Sequence, residues 1–173
     1  MEDLALALAN QDEASRAALA ATLRRLGLSD DLSLASFILP DGTERGLPTL
    51  AGQALDQLPD GVLRLLEISV ALIDPAATLV LIDELEMGLH PGLLDRVLHE
   101  VHAWSTDRQV VLTTHSPQVA SAFPPAALRV VAWGDGDPIA SRLEGAALTA
   151  VRAWLEDQGN LGEYVFSPAM GDG

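Results

Sequence analysis

Two adjacent carboxylates, Asp83 and Glu84, follow directly on the apolar run Thr78-Leu79-Val80-Leu81-Ile82. Unbroken rather than alternating hydrophobicity predicts a strand buried on both faces, as in a parallel sheet. The carboxylates then stand where the backbone leaves that sheet. Such a pair suits phosphate hydrolysis: Asp83 would hold Mg²⁺ through water, and Glu84 would orient and polarise the attacking water. An Asp-Glu pair by itself more often merely ends a strand. Here a second apolar run, Val110-Val111-Leu112-Thr113-Thr114, ends on His115. An imidazole there can hydrogen-bond a γ-phosphate or the attacking water.

These side chains need elements that bring them together. Between the two runs, after Gly88-Leu89-His90-Pro91, the apolar stripe Leu94, Val97, Leu98, Val101 and Trp104 predicts a helix. Strand, helix, strand is a crossover unit, so both strands should end at one sheet edge. In open α/β sheets that carboxyl edge is where ligands bind. Upstream, residues 3–28 read as one or two helices broken near Asn10-Gln11-Asp12, where Asn or Asp can cap a new start. Pro40-Asp41-Gly42-Thr43 between extended runs predicts a β-hairpin, and a helix is expected over 61–72 before Asp74-Pro75. Two further strands over 129–133 and 139–143 flank a Gly-Asp-Gly-Asp turn, and a last helix over 149–155 leads into a Gly-rich tail.

Composition narrows the function. The 173 residues are 49% hydrophobic and 20% charged, which suits one globular domain. With 25 acidic against 10 basic residues the formal charge is −15, so direct nucleic-acid binding by this chain is not expected. Every basic residue is arginine. A P-loop needs a lysine that reaches the β- and γ-phosphates, and this sequence has none to offer. No apolar run is long enough to cross a membrane and the acidic N-terminus is unlike an export signal, so a cytoplasmic location is expected. His99 and His102 are spaced at i, i+3 rather than the i, i+4 of a helical zinc motif, and with Glu100 read as a polar helix face. Gly134-Asp135-Gly136-Asp137-Pro138 lacks the length and terminal glutamate of a calcium loop and reads as a turn.

As a set, the motifs resemble a known family. Leu79-Val80-Leu81-Ile82-Asp83-Glu84 looks like a Walker B motif with its catalytic glutamate. Glu86-Met87-Gly88-Leu89-His90-Pro91 resembles the D-loop of ABC-type ATPases grouped with RecF, SMC and OLD-like proteins, and Leu112-Thr113-Thr114-His115-Ser116 their switch-histidine loop. Leu58-Pro59-Asp60-Gly61-Val62-Leu63-Arg64-Leu65-Leu66 is similar to the signature motif, and Trp154-Leu155-Glu156-Asp157 through Leu161-Gly162-Glu163 to the family's C-terminal end. The resemblance implies the C-terminal lobe of an AAA-family ATPase head without Walker A. The implied fold is α/β, a partial P-loop NTPase with a mainly parallel sheet flanked by helices, an N-terminal helical segment and a β-hairpin. By it, residues 1–32 are a lever-arm-like helical segment and 33–173 the lobe. Two heads of this family pair head to tail, and the signature helix of one presents its N-terminal amides to the γ-phosphate on the other. Pro59, Asp60 and Gly61 would then contact nucleotide, Gly61 by permitting close backbone approach. The family's serine is replaced by Pro59, which removes one hydroxyl donor and still suits a helix start.

The implied function is ATP binding and hydrolysis, with Glu84 and His115 catalytic, Asp83 on magnesium, and a Walker A-bearing lobe or protein as partner. A homo-oligomer is a further expected assembly. The alternative is a degenerate, non-catalytic head acting as an interaction or regulatory module. A standalone metal-dependent hydrolase ranks last, because no second cluster of carboxylates accompanies Asp83, Glu84 and His115.

Overall fold

The computed structural model describes residues 2–38, 40–134, 136–157 and 160–166. It forms two compact units, residues 1–113 and 114–173.

In the first unit, Asn10-Gln11-Asp12 separates α1 (Glu2–Ala9) from α2 (Glu13–Leu26), as expected. Asp12 caps α2 by accepting from the Ser15 amide at 2.7 Å, and this bond holds its carboxyl below the ordinary value. Gly27 ends the helix at φ 83°, a left-handed conformation that glycine adopts without strain. The hairpin pairs β1 (Leu32–Ile38) with β2 (Glu44–Leu50), and β3 (Gln53–Ala54) adds a short third strand. Its turn is closed by the Asp41 carboxylate accepting from the Thr43 amide, the Asx geometry that Pro-Asp-Gly favours. A short 3-10 turn over Leu55–Gln57 leads into α3 (Asp60–Ile73). Leu4, Leu8, Leu19 and Leu23 pack with Leu50, Leu66 and Ile73, so the helices before Leu32 share one core with the hairpin and α3.

The centre of this unit is the parallel pair β4 (Leu79–Ile82) and β5 (Gln109–Leu112), joined through α4 (Pro91–Trp104). Ile82 lies opposite Leu112, so both strands deliver their carboxyl ends to one edge. Among the described residues parallel pairing is confined to these two strands, and the remaining pairs are antiparallel. The expectation of burial on both faces is not met. Val80 and Ile82 are buried, whereas Leu79 and Leu81 are 48% and 71% exposed and Val111 is 44% exposed. Helices of the first unit cover one face, and among the described residues no layer covers the other. A parallel sheet with one bare apolar face lacks a partner layer.

Helix α4 buries Leu94, Val97, Leu98 and Val101 as its spacing requires. Glu100 corrects the expected polar face. It is 2% exposed, and its carboxylate accepts from Arg25 Nε at 2.6 Å and Nη2 at 2.8 Å. Position 100 follows Val97 by one turn, so it joins the inward stripe, and the α2 guanidinium compensates the buried charge. The bond holds the Arg25 pKa above its usual value. Arg25→Ala is therefore expected to destabilise by about 2 kcal/mol, less than for a fully buried pair because the Arg25 side chain is 49% exposed. Adding Glu100→Gln should recover part of the loss in a denaturant-unfolding cycle.

The second unit contains α5 (Pro117–Ser121), a 3-10 turn (Pro125–Ala127), the antiparallel strands β6 (Arg129–Gly134) and β7 (Asp137–Arg142), α6 (Gly145–Asp157) and α7 (Leu161–Val165). Its core gathers Leu143, Val151, Leu161 and Tyr164, with the Trp154 and Tyr164 rings edge-on at 5.7 Å. Within the expected Gly-Asp-Gly-Asp turn, Asp135 lies outside the described residues. The described helices include none long and apolar enough to cross a membrane.

Candidate functional site

Strand β4 ends at Ile82, and the next two residues are the carboxylates. Asp83 is exposed and Glu84 half-buried. What fixes them is Thr113, the first residue after β5. Its hydroxyl donates to Asp83 Oδ1 at 2.5 Å and accepts the Glu84 amide at 2.8 Å. One side chain thus holds the carboxylate of one residue and the backbone of the next. The main chain adds Thr113 N–H to the Ile82 carbonyl at 2.9 Å and Leu85 N–H to the Thr113 carbonyl at 3.2 Å. The crossover therefore does what its topology implied, stitching the end of one strand to the end of its neighbour.

Glu84 has φ 44°, a left-handed backbone that costs a non-glycine residue about 1–2 kcal/mol. The Thr113 bonds and the turn bond from Met87 N–H to the Glu84 carbonyl, 2.9 Å, hold it there. Strain retained by surrounding contacts is common where a side chain must be aimed. Thr113→Val removes both hydroxyl bonds and keeps the shape. The expected stability loss is only about 1 kcal/mol, since water reaches the site. On the hydrolytic role expected of Asp83 and Glu84 from the sequence, turnover should fall about tenfold or more as both lose their shared anchor, while Thr113→Ser should retain it.

The segment after Glu84 is a succession of turns through Gly88, which lies at φ 74°, and His90 Nδ1 then caps α4 by accepting from the Gly92 amide at 3.1 Å. Pro59 precedes α3, and Asp60 and Gly61 open its first turn, which has no side-chain cap among the described residues. The Val62 and Leu63 amides turn back to the Pro59 carbonyl at 2.9 and 3.1 Å, so the amides at the anion-attracting end are those of Asp60 and Gly61. For Gly61 the structure supplies a nearer reason for glycine than the approach of nucleotide. A Cβ at this position would lie 2.6 Å from the Gly88 carbonyl oxygen, so the helix start and the turn touch backbone to backbone. His115 comes three residues after β5 ends, in the second unit, and is exposed. The loop that carries it is shaped by the Ser116 amide donating to Thr114 Oγ1 at 2.9 Å, and Ser116 caps α5.

Asp83 Oδ1 is engaged by Thr113, and Oδ2 faces no partner among the described residues. The described residues contain no group of three His, Cys, Asp or Glu able to hold a metal. That arrangement fits Mg²⁺, which is commonly bound by one or two carboxylates, waters and substrate phosphates rather than by an all-protein cage.

The model of the family described as "AAA domain, putative AbiEii toxin, Type IV TA system" matches residues 16–121, more than half of the chain. This protein belongs to that family. No curated protein matches it. Solved SMC heads share the fold of this AAA-domain protein. A structure from work on ATP-driven dimerization and DNA-stimulated activation of SMC ATPases aligns with a TM-score of 0.54 and 15% identity, over 84% of this chain and 92% of that one. An SmcHead bound to the C-winged helix domain of ScpA aligns with a TM-score of 0.53 and 18% identity, over 76% of this chain and 43% of that one. At such identities the likeness is one of fold. The α/β class and the ATPase-head architecture expected from the motifs are those of these structures.

Two contributors to the site carried no role in the sequence reading. Thr113 was visible only within the apolar run and the motif around His115, without a role of its own. Arg64, on α3, donates through Nη2 to the Asp83 carbonyl, a long-range contact that spacing does not reveal.

Proposed function

We propose that this AAA-domain protein supplies the Walker B, signature and switch-histidine half of an ATP-hydrolysing site, completed by a lobe bearing Walker A. The observation that carries the reading is the pair Asp83 and Glu84, presented at the carboxyl edge of the parallel strands and fixed there by Thr113. Asp83 would hold Mg²⁺, which when bound neutralises charge on the phosphates. Glu84 orients the attacking water and draws on its proton. His115 hydrogen-bonds the γ-phosphate or that water from the following loop. The start of α3, just after Pro59, presents the Asp60 and Gly61 amides to a γ-phosphate held by a second head in a head-to-tail pair.

Two features support a separate phosphate-gripping lobe. The sequence has no lysine for a P-loop, and the exposed Leu79, Leu81 and Val111 offer an apolar face for a covering layer. The same face suits a non-catalytic interaction module, so turnover must decide. ATP hydrolysis is measured for this chain alone, for a co-expressed Walker A lobe alone, and for the two together. Hydrolysis by the pair and by neither part is expected. A pair that assembles yet neither binds nor hydrolyses ATP would leave the interaction-module reading in its place.

A further inference from the structure

Helix α3 grips the turn that carries Glu84 at both ends. Gly61 and Arg64 are three residues apart and so share a helix face. Gly61 lies against the Gly88 carbonyl, and the Arg64 guanidinium donates to the Asp83 carbonyl. Between those carbonyls stands the left-handed Glu84. Arg64 is held for this contact. Its side chain is 22% exposed, its Nη1 is 3.7 Å from Glu67 on the next turn, and its Nε is buried without a hydrogen-bond partner among the described residues. Leaving a buried guanidinium N–H unsatisfied costs stability. An arginine kept at that cost, with its planar fork turned to a backbone carbonyl, is better explained by where it places the turn than by stability.

We propose that Arg64 is a positioning residue that transmits the position of the α3 N-terminus to Glu84. The helix end at Pro59, Asp60 and Gly61 is one turn from Arg64, and Arg64 holds the residue immediately before Glu84. On the functional reading above, on which the kinetic part of this inference rests, Arg64 thereby sets the backbone that aims the water-activating carboxylate.

The test separates the two claims by beginning with the chain alone. Amide hydrogen exchange, followed by NMR, is compared in the native protein and in Arg64→Met, which keeps the stem and removes the donor, with Arg64→Lys as the conservative rescue. The Glu84 and Leu85 amides, bonded to Thr113, should exchange at least about tenfold faster in Arg64→Met. The Gln109 amide, bonded to the Thr78 carbonyl at the far end of the strand pair, should not change, and Arg64→Lys should restore most of the protection. Unchanged Glu84 exchange in Arg64→Met overturns the proposal. So does acceleration spread equally to Gln109, which would mark a residue of general stability only. In the complemented pair, Arg64→Met should lower kcat about tenfold with KM for ATP unchanged, and a rise in KM alone also overturns it. If no pair hydrolyses ATP, the functional reading fails while the exchange result still decides whether Arg64 sets the turn.

Discussion

Glu84→Gln is expected to lower ATP turnover by the complemented pair by about 10²–10⁴-fold, the range that a positioned general base contributes. Nucleotide and magnesium affinity should change little. The substitution is isosteric, and the backbone at position 84 is fixed by contacts that do not involve its side chain. The amide is bonded to Thr113 Oγ1 and the carbonyl to the Met87 N–H. The left-handed conformation thus survives while the carboxylate that draws on the water proton is lost. A kcat effect without a KM effect identifies an interaction made in the transition state. Asp83→Asn serves as the contrast. It keeps one oxygen toward Thr113 but weakens the hard anionic ligand, so the Mg²⁺ concentration for half-maximal turnover should rise. Turnover that is indifferent to Glu84→Gln removes that residue from the mechanism, whatever the family motif implies.

The strand ends that carry Asp83 and Glu84 to one edge were legible in the sequence because their signals are local. An apolar run that stops at Asp83-Glu84, and another ending near His115, need only strand periodicity and a crossover to be placed. Proline and asparagine-aspartate punctuation likewise located the α1–α2 break, the hairpin and the end of α3. What was missed depends on who lies opposite. Glu100 sits one turn from Val97 on the inward stripe, but only the fold shows Arg25 waiting for it. Nothing in the sequence places the Gly88 carbonyl oxygen 2.6 Å from where a Cβ on Gly61 would stand. The short helices α5 and α7 escaped because a five-residue helix has too few turns for a period to emerge.

The unmet expectation about β4 is informative in the opposite direction. Its sequence is that of a strand buried on both faces, yet Leu81 is 71% exposed. Hydrophobic patterning reports the environment for which a strand is suited, and here that environment includes a layer not found among the described residues. Leu81 is opposite Val111 in the register, so the bare face spans both strands. The pattern and the missing lysine both support the proposed second lobe, from packing in one case and from phosphate chemistry in the other.

Gly162→Ala is expected to destabilise the protein by about 3 kcal/mol, although helix propensity alone would favour alanine by up to about 1 kcal/mol. The two effects have opposite signs, and geometry decides between them. A Cβ on Gly162 would lie 1.9 Å from the Pro117 carbonyl oxygen, 2.4 Å from its carbon and 2.5 Å from its Cα. All three are backbone atoms, so no rotamer change relieves the overlap and α7 must separate from α5. Separation also strains the bonds around Ser121, whose Oγ accepts the Gly162 amide at 2.8 Å and lies 2.6 Å from Asn160 Oδ1. For a chain of this size the loss corresponds to a Tm lowered by about 10 °C. Glu163→Ala, on the exposed side of the same helix, should shift stability by less than about 0.5 kcal/mol and provides the control. An unchanged or raised Tm for Gly162→Ala would show that α5 and α7 are not packed this closely. Pro117 opens α5 only two residues after His115, so on the role proposed for that imidazole complemented turnover should also fall in Gly162→Ala at temperatures where the protein is still folded.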